Sequence, residues 1–473
     1  MKHTLSQLKL CYIGGGSRNW AWVFIKDLAF ETEIGGTIYL YDIDRAGAEA
    51  NEALGNRVMA EHNPGQWTFK AEPSLERALQ DADFVFISIL PKDFTHMAVD
   101  VHAPEKYGIY QSVGDTVGAG GLNRALRTVP MYEEIAAAIK RWSPDAWVLN
   151  YTNPMSVCTR TLYRVFPEIK AFGCCHEVFG AQKLLRKIIV RAGLAQENEI
   201  KREDLSTRVV GINHFTWIDR ASWGNRDLFP LYASFAEEFA ETGFAEGGDE
   251  NWFNTYFTCG ERVKIDLFRR YGLIAAAGDR HLAEFCPPSW YLKTPETAKA
   301  WQFSLTPVSW RIAQREELKQ KSAAYRQGAE KLVPENSGEE GIRQIKALLG
   351  LGNLVTNVNL PNRGQMPGFP PSAVVETNAL FTLDRVEPII TEGMPPVLRS
   401  LVVQHIENQE GIVEAALNRN LEEAFKVFLN DPQIRQLSWE DARSLFAEMT
   451  SLTLGGETPA YQQPPSPRRS SGL

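Results

Sequence analysis

No run of residues in this sequence approaches 18 uninterrupted apolar positions, so no segment reads as a membrane-spanning helix. Cysteine is scarce: Cys11, Cys158, Cys174, Cys175, Cys259 and Cys286 are the six in 473 residues, too few for a disulfide framework. An excess of positive charge is also missing. The formal net charge is −8, which offers no basic field to a nucleic acid. The first residues, Met1-Lys2-His3-Thr4, lead toward an apolar strand without a long apolar export segment. With no internal repeat and an ordinary 44% apolar and 23% charged residues, these absences predict a cytoplasmic globular enzyme.

What the sequence does contain is a nucleotide-binding pattern. A short apolar strand precedes the glycine turn Ile13-Gly14-Gly15-Gly16-Ser17, a helix follows, and a second strand ends in Asp42-Ile43-Asp44. Gly14 and Gly16 permit a tight turn and close approach to a pyrophosphate, with Ser17 at the start of the helix. The third glycine of the strict pattern is replaced by Asn19. A carboxylate at the second strand end accepts hydrogen bonds from ribose hydroxyls and repels a 2′-phosphate, which points to NAD. Asp42 is the preferred ribose ligand, and Asp44 reads equally as the N-cap of a helix from 45 onward.

Strands at 8–13, 37–41, 83–90, 146–150 and 170–174 alternate with helices at 20–32, 45–62, 122–141 and 182–192. This predicts an α/β, Rossmann-like domain over 1–200. Beyond it the alternation fades. Short strands at 207–212 and 215–219 flank His214, and 229–345 is mostly helical in pattern. Strands at 357–360, 373–378 and 384–388 and a helix at 401–429 complete a second, α+β domain over 201–458. A polar, proline-rich tail at 459–473 reads as disordered.

Two further clusters carry metal-binding residue types: Cys175-His176 and Gly211-Ile212-Asn213-His214, each in a turn after a predicted strand. A thiolate and an imidazole favour Mn, Fe, Co, Ni or Zn over Ca or Mg, and two ligands leave positions open to substrate hydroxyls. Each residue also has a plainer reading: Cys175 as a small core hydrophobe and His214 as a hydrogen-bonded core imidazole.

Taken together, the motifs resemble glycoside hydrolase family 4, the NAD- and divalent-metal-dependent glycosidases. The residues that carry the resemblance are 13–17, 42–44, Gly114-Asp115-Thr116, Tyr151-Thr152-Asn153-Pro154-Met155, Cys174-Cys175-His176-Glu177-Val178, Gly211–Phe215 and Gly278-Asp279-Arg280-His281. The Cys-His-Glu-Val form is similar to the subgroup of α-galacturonidases. The resemblance implies a fold like that of the malate and lactate dehydrogenases, NAD with a divalent metal such as Mn²⁺, and a homodimer or homotetramer. It implies cleavage by hydride removal at C3, proton abstraction at C2, elimination of the aglycone, water addition and hydride return, without the carboxylate pair of ordinary glycosidases. Carried over by motif, Cys175 and His214 correspond to the metal ligands and Asn153 to a group that orients sugar hydroxyls. Asp279 and Tyr271 are the alternatives for the C2 base, and Asp115 is a charged partner for water or a hydroxyl. His176 and Glu177 belong to the specificity turn, and Arg280 and Arg363 are candidates for the uronate carboxylate. Other glycosidase specificities of the family (α-glucosidase, α-galactosidase, α-glucuronidase) and an NAD-dependent dehydrogenase are the competing expectations.

Overall fold

The computed structural model describes residues 3–244, 259–455 and 461. Among them β4 (Phe84–Ile87) is Phe-Val-Phe-Ile with every residue buried, as a parallel strand covered on both faces must be. On one side β1 (Leu8–Ile13), β2 (Gly36–Tyr41) and β3 (Trp67–Ala71) follow in parallel. On the other lie β5 (Trp147–Asn150) and β6 (Lys170–Gly173). The side chains alternate by strand period. Leu10 and Tyr12 enter the core on one face, while Cys11 and Ile13 enter the core on the other, where the thiol serves as a small hydrophobe. The chain runs outward from β1 to β3 and then returns to β4 on the opposite side of β1. The strand order reverses between β1 and β4, and there the carboxyl ends of an open sheet form a ligand crevice. Gly14 occupies that point with φ +96°, and a Cβ there would lie 2.0 Å from the Ser88 carbonyl oxygen just beyond β4. Only glycine fits.

The helices of this region are α1 (Trp20–Leu28), α2 (Arg45–His62), α3 (Leu75–Leu79), α4 (Phe94–His102), α5 (Gly118–Trp142), α6 (Met155–Val165) and α7 (Glu177–Arg191). A small antiparallel sheet follows, built from β7 (Leu205–Ile212), β8 (Phe215–Trp223), β9 (Arg226–Asp227) and β10 (Ile274–Ala275).

The main sheet does not stop at residue 200. Strand β11 (Leu354–Pro361) joins β6 antiparallel through Asn359 and Gly173, then pairs with β12 (Val374–Thr382), and that strand with β13 (Arg385–Pro388). Nine strands result, three of them from the second half of the chain. The helix predicted over 401–429 is two, Pro396–Leu417 and Leu421–Asn430. Arg419 turns left-handed between them, and the Asn420 side chain caps the second by accepting the Glu422 and Glu423 N–H groups. The tail reading of 459–473 lies outside the described residues except at Tyr461, whose hydroxyl donates to the Leu126 carbonyl. No helix among the described residues is long and apolar enough to cross a membrane.

Candidate active site

At the glycine turn, Gly16 N–H donates to Asp42 Oδ2 at 2.8 Å and Asp44 N–H donates to Asp42 Oδ1 at 2.8 Å. The Asp42 carboxylate thus ties the turn to the end of β2, and burial raises its pKa. Asp44 caps α2 by accepting Gly47 N–H at 3.0 Å and pairs with Arg18 at 2.8 Å. The N-cap reading therefore describes Asp44. Ser17 Oγ accepts the Trp20 N–H at 3.2 Å and so opens α1. Gly14, Gly16, Ser17 and Asp42 form one corner of the fold. Beside Asp42 a cleft of about 350 Å³ is bounded by Leu40, Ala71 and the charged side chains Arg45, Glu49, Glu52 and Glu72. Its acidic rim suits ribose hydroxyls and disfavours an added phosphate.

The carboxyl ends of β5 and β6 bring up the other polar clusters. The β7–β8 turn is only Asn213-His214, and His214 adopts φ +63°, a left-handed conformation that histidine tolerates better than most residues. That turn aims the imidazole at the 112–117 loop. One ligand atom each from Asp115, His214 and His281 lie within 4.8 Å of one another, and the two imidazole centroids are 3.7 Å apart. The Thr116 hydroxyl donates to Asp115 Oδ1 at 2.8 Å and lies 2.9 Å from His214 Nδ1. A hydroxyl has one hydrogen, so Nδ1 must be the donor of the second bond. The lone pair of His214 is then on Nε2, free for a ligand.

Electrostatics sharpen this picture. Burial, then the neighbouring His281, lower the His214 pKa to about 3, and burial likewise lowers that of His281. Both rings are neutral at pH 7, the state that binds metal. Burial works against the charge on Asp115, but the adjacent His281, His214 and Arg124 outweigh it and hold the carboxyl below its usual range. With both rings neutral, Arg124 supplies the standing positive charge at pH 7; its Nε also donates to the Asn153 carbonyl at 3.1 Å. Glu177 is likewise ionised, its pKa about 2 despite burial because of His281, His214 and His176 and the 2.7 Å bond from Gly278 N–H. It approaches His281 Nε2 to 3.9 Å. Asn153 Nδ2 reaches Asp115 Oδ2 at 3.4 Å. Asn153 Oδ1, Asn213 Oδ1 and His281 Nδ1 are buried without a hydrogen-bond partner among the described residues. Two carboxylates, two neutral imidazoles and unpartnered polar atoms form a donor set that a divalent cation fits.

Cys175 lies outside the three-residue cluster, and Glu177 acts electrostatically on it as the two histidines of the cluster act on Glu177. Burial raises its thiol pKa, and the nearby Glu376 and Glu177 raise it further, while the Asn213 side chain bonds it. Glu376 is itself buried, held by Asn357 Nδ2 at 2.7 Å, Asn359 Nδ2 at 3.0 Å and Asn213 Nδ2 at 3.4 Å. A thiol among carboxylates stays protonated until a cation changes the local charge.

Several residues predicted from sequence lie elsewhere or are otherwise engaged. Asp279 is fully buried, and its carboxylate accepts Val263 N–H at 3.0 Å and Lys264 N–H at 3.1 Å. It caps the helix Arg262–Tyr271 instead of facing the cluster as a base. Tyr271 ends that helix, with its ring edge-on to Trp217 at 5.9 Å and its hydroxyl influenced by Cys286, Arg270 and Asp266. Arg280 braces loops: Nε donates to the Ser304 carbonyl at 3.2 Å, and Nη2 donates to the Ser112 carbonyl at 2.6 Å and to Thr306 Oγ1. Arg363 is exposed on its turn, near Tyr163. His176 occupies the N-cap position of α7 without a capping side-chain bond and pairs with Glu339 at 3.1 Å, facing Trp20. The motifs assign no role to His281, Thr116 or Arg124. The Gly278–His281 motif contains His281, but the imidazole two residues after the acid is the one that reaches the cluster.

The sequence profile described as family 4 glycosyl hydrolase matches residues 9–191, and that of the family 4 glycosyl hydrolase C-terminal domain matches 209–434. The chain belongs to glycosyl hydrolase family 4. Among its family 4 relatives, an α-galacturonidase of Thermoanaerobacter italicus is 55% identical over 93% of this chain and 95% of its own. An α-galacturonidase of Bacillus subtilis is 49% identical over 94% of this chain and 97% of its own. A solved structure from Bacillus subtilis, described as a glucosidase, superposes with TM-score 0.88 at 49% identity, covering 94% of this chain and 99% of that one.

Proposed function

We propose that this family 4 enzyme is an α-galacturonidase that removes a terminal α-galacturonide with NAD and a divalent metal, Mn²⁺ being the first to test. The observation that carries the reading is identity of 49–55% with four proteins named α-galacturonidase, each over more than 90% of both chains. Bound in this site, NAD would supply reversible hydride transfer and the cation would supply Lewis-acid polarisation of sugar oxygens. The chain's own groups do the rest. Gly14 and Gly16 are the proposed backbone cradle for the pyrophosphate, and Asp42 the proposed ribose ligand. His214 through Nε2, Asp115, His281 and Cys175 supply the donors for the cation, with Thr116 fixing the His214 tautomer. Asn153, beside Asp115, orients the sugar hydroxyls. Glu177, ionised and half-shielded from water, is the carboxylate left to take the C2 proton.

The test is a panel of para-nitrophenyl α-glycosides with NAD⁺ and Mn²⁺ in D₂O. The expected result is preferred cleavage of the α-galacturonide, deuterium at C2 of the released sugar and no net NADH. Preference for a neutral α-galactoside or α-glucoside would overturn the substrate assignment, and NADH formed stoichiometrically with product would overturn the reaction class. The six cysteines are all unpaired, which supports a reducing compartment, the cytoplasm. Assembly as a homodimer or homotetramer is part of the same reading and is measured by light scattering of the holoenzyme.

A further inference from the structure

An anionic sugar needs a cation that no other group in the protein is using, and the arginines around the site differ sharply in that respect. Arg127 is buried against Asp100. Arg124 stands beside Asp115 and holds the Asn153 carbonyl. Arg280 spends its donors on the carbonyls of Ser112 and Ser304 and the Thr306 hydroxyl. Arg311 is different. It is half-buried, and among the described residues its guanidinium donates no hydrogen bond and forms no ion pair; the negative charge that acts on it is Asp115.

Its position follows from how the preceding segment is tied down. Thr306 N–H reaches the Ser112 carbonyl at 3.5 Å, three residues before Asp115, and Thr306 Oγ1 accepts from Arg280, the neighbour of His281. Val308, fully buried, packs with Met97 and Val101 of α4, and its N–H donates to His102 Nε2 at 3.1 Å. These contacts dock the first turn of the helix Val308–Gln327 against the Asp115 loop, and Arg311 belongs to that turn. Arg311 also acts electrostatically on both Arg280 and His281. Its charge is therefore felt by the same groups that form and flank the cation cluster. A half-buried guanidinium beside a second arginine is costly without a counter-anion. Once Asp115 is engaged with a cation, that counter-anion has to come from a ligand.

We propose that Arg311 receives the C6 carboxylate of the terminal uronic acid and thereby selects uronides over neutral sugars. The assignment rests on the galacturonidase reading. A carboxylate matches the guanidinium fork with two parallel hydrogen bonds, whereas the hydroxymethyl of a neutral hexose leaves the charge unpaired. A pyranose held through O2 and O3 at the cluster presents C6 from the far side of the ring, so one ring bridges cluster and arginine.

The experiment compares wild type, Arg311→Gln, Arg311→Lys and Arg280→Gln on para-nitrophenyl α-galacturonide, its methyl ester and the α-galactoside, with NAD⁺ and Mn²⁺ present. Binding of free galacturonate is followed by calorimetry. Arg311→Gln should lose about 100-fold in kcat/KM on the galacturonide, chiefly through KM, and change little on the ester. It should also lose galacturonate binding, and Arg311→Lys should recover part of both. Arg280→Gln, which loosens two loops, should depress all three substrates alike. Equal losses on charged and neutral substrates for Arg311→Gln, or none, overturn the assignment while a wild-type preference for the galacturonide leaves the enzyme reading intact. A wild type that prefers the α-galactoside overturns both. Because Arg311 is half-exposed and forms no hydrogen bond or ion pair among the described residues, a melting temperature close to wild type is expected and validates the comparison.

Discussion

Replacing Asp279 by asparagine separates a structural carboxylate from a catalytic one. In the folded chain the two oxygens of Asp279 accept two backbone N–H groups at the start of the helix Arg262–Tyr271, at 3.0 and 3.1 Å, in a fully buried setting. Lys264 keeps its own partner, Glu261, so the substitution does not strand that ammonium. Asparagine retains one acceptor and turns an NH₂ toward the second N–H, which is then left unbonded. Losing one hydrogen bond and orphaning a buried donor costs about 2–4 kcal/mol. Urea denaturation of the holoenzyme should show that loss as a lower midpoint, while kcat of the folded fraction stays within about tenfold of wild type. A catalytic base would behave in the opposite way, with unchanged stability and a loss of 10²–10⁴-fold in kcat, accompanied by loss of C2 exchange. That second pattern would refute the capping argument. His281 lies two residues on from Asp279, in the short helix Asp279–Phe285, so Mn²⁺ affinity is measured in parallel to detect displacement of the cluster.

Gly14→Ala should abolish NAD⁺ binding or soluble expression, because a Cβ would meet the Ser88 carbonyl at 2.0 Å and φ is +96°; NADH fluorescence titration reads the first. His281→Asn should weaken Mn²⁺ binding about 100-fold with NAD⁺ affinity unchanged, and equal calorimetric isotherms for variant and wild type would remove His281 from the donor set. Cys175→Ser should bring turnover close to zero under saturating Mn²⁺, and retention of half the activity would exclude the thiolate as a ligand. For pH, burial raises the Asp431 pKa from 3.8 to about 6, against the pull of the Gln433 and Gly118 N–H groups. The folded state therefore binds more protons between those values, and the contribution of Asp431 to stability falls as pH climbs from about 4 to about 6, by at most about 3 kcal/mol. Asp431→Asn should flatten that slope in melts recorded across the range; an unchanged slope would remove Asp431 as its source.

The β1–turn–α1 unit, β2 and β4 could be read from the sequence because apolar period, glycine and a terminal acid all agreed on them. Strand β3 and helices α4 and α6 could not. Trp67–Ala71 is a strand with alternating exposure and few aliphatic residues, and Met155–Val165 begins at Pro154, which reads as a turn until the helix beyond it is seen. The union of 354–388 with the first sheet depends on a single pairing to Gly173, a long-range contact that leaves no local periodicity. At the site, Gly14, Gly16, Asp42, His214 and Asn153 stood out because turns and strand ends dictate their surroundings. His281 was hidden behind Asp279, since the sequence shows an acid in a motif but not whether its oxygens are already engaged by a helix start. Arg311 has no motif at all. It is recognised only by what surrounds it and by what it fails to touch.

The hydrogen bond between Thr116 and His214 joins positions 98 residues apart, and the turn that carries His214 belongs to a different sheet from β6, the strand that leads to Cys175. An ion gripped from both sides is thus a rivet between the two halves of the polypeptide as well as a reagent. Chelation should therefore soften the whole molecule, lowering its melting point by an amount that grows with the logarithm of the ion concentration withdrawn.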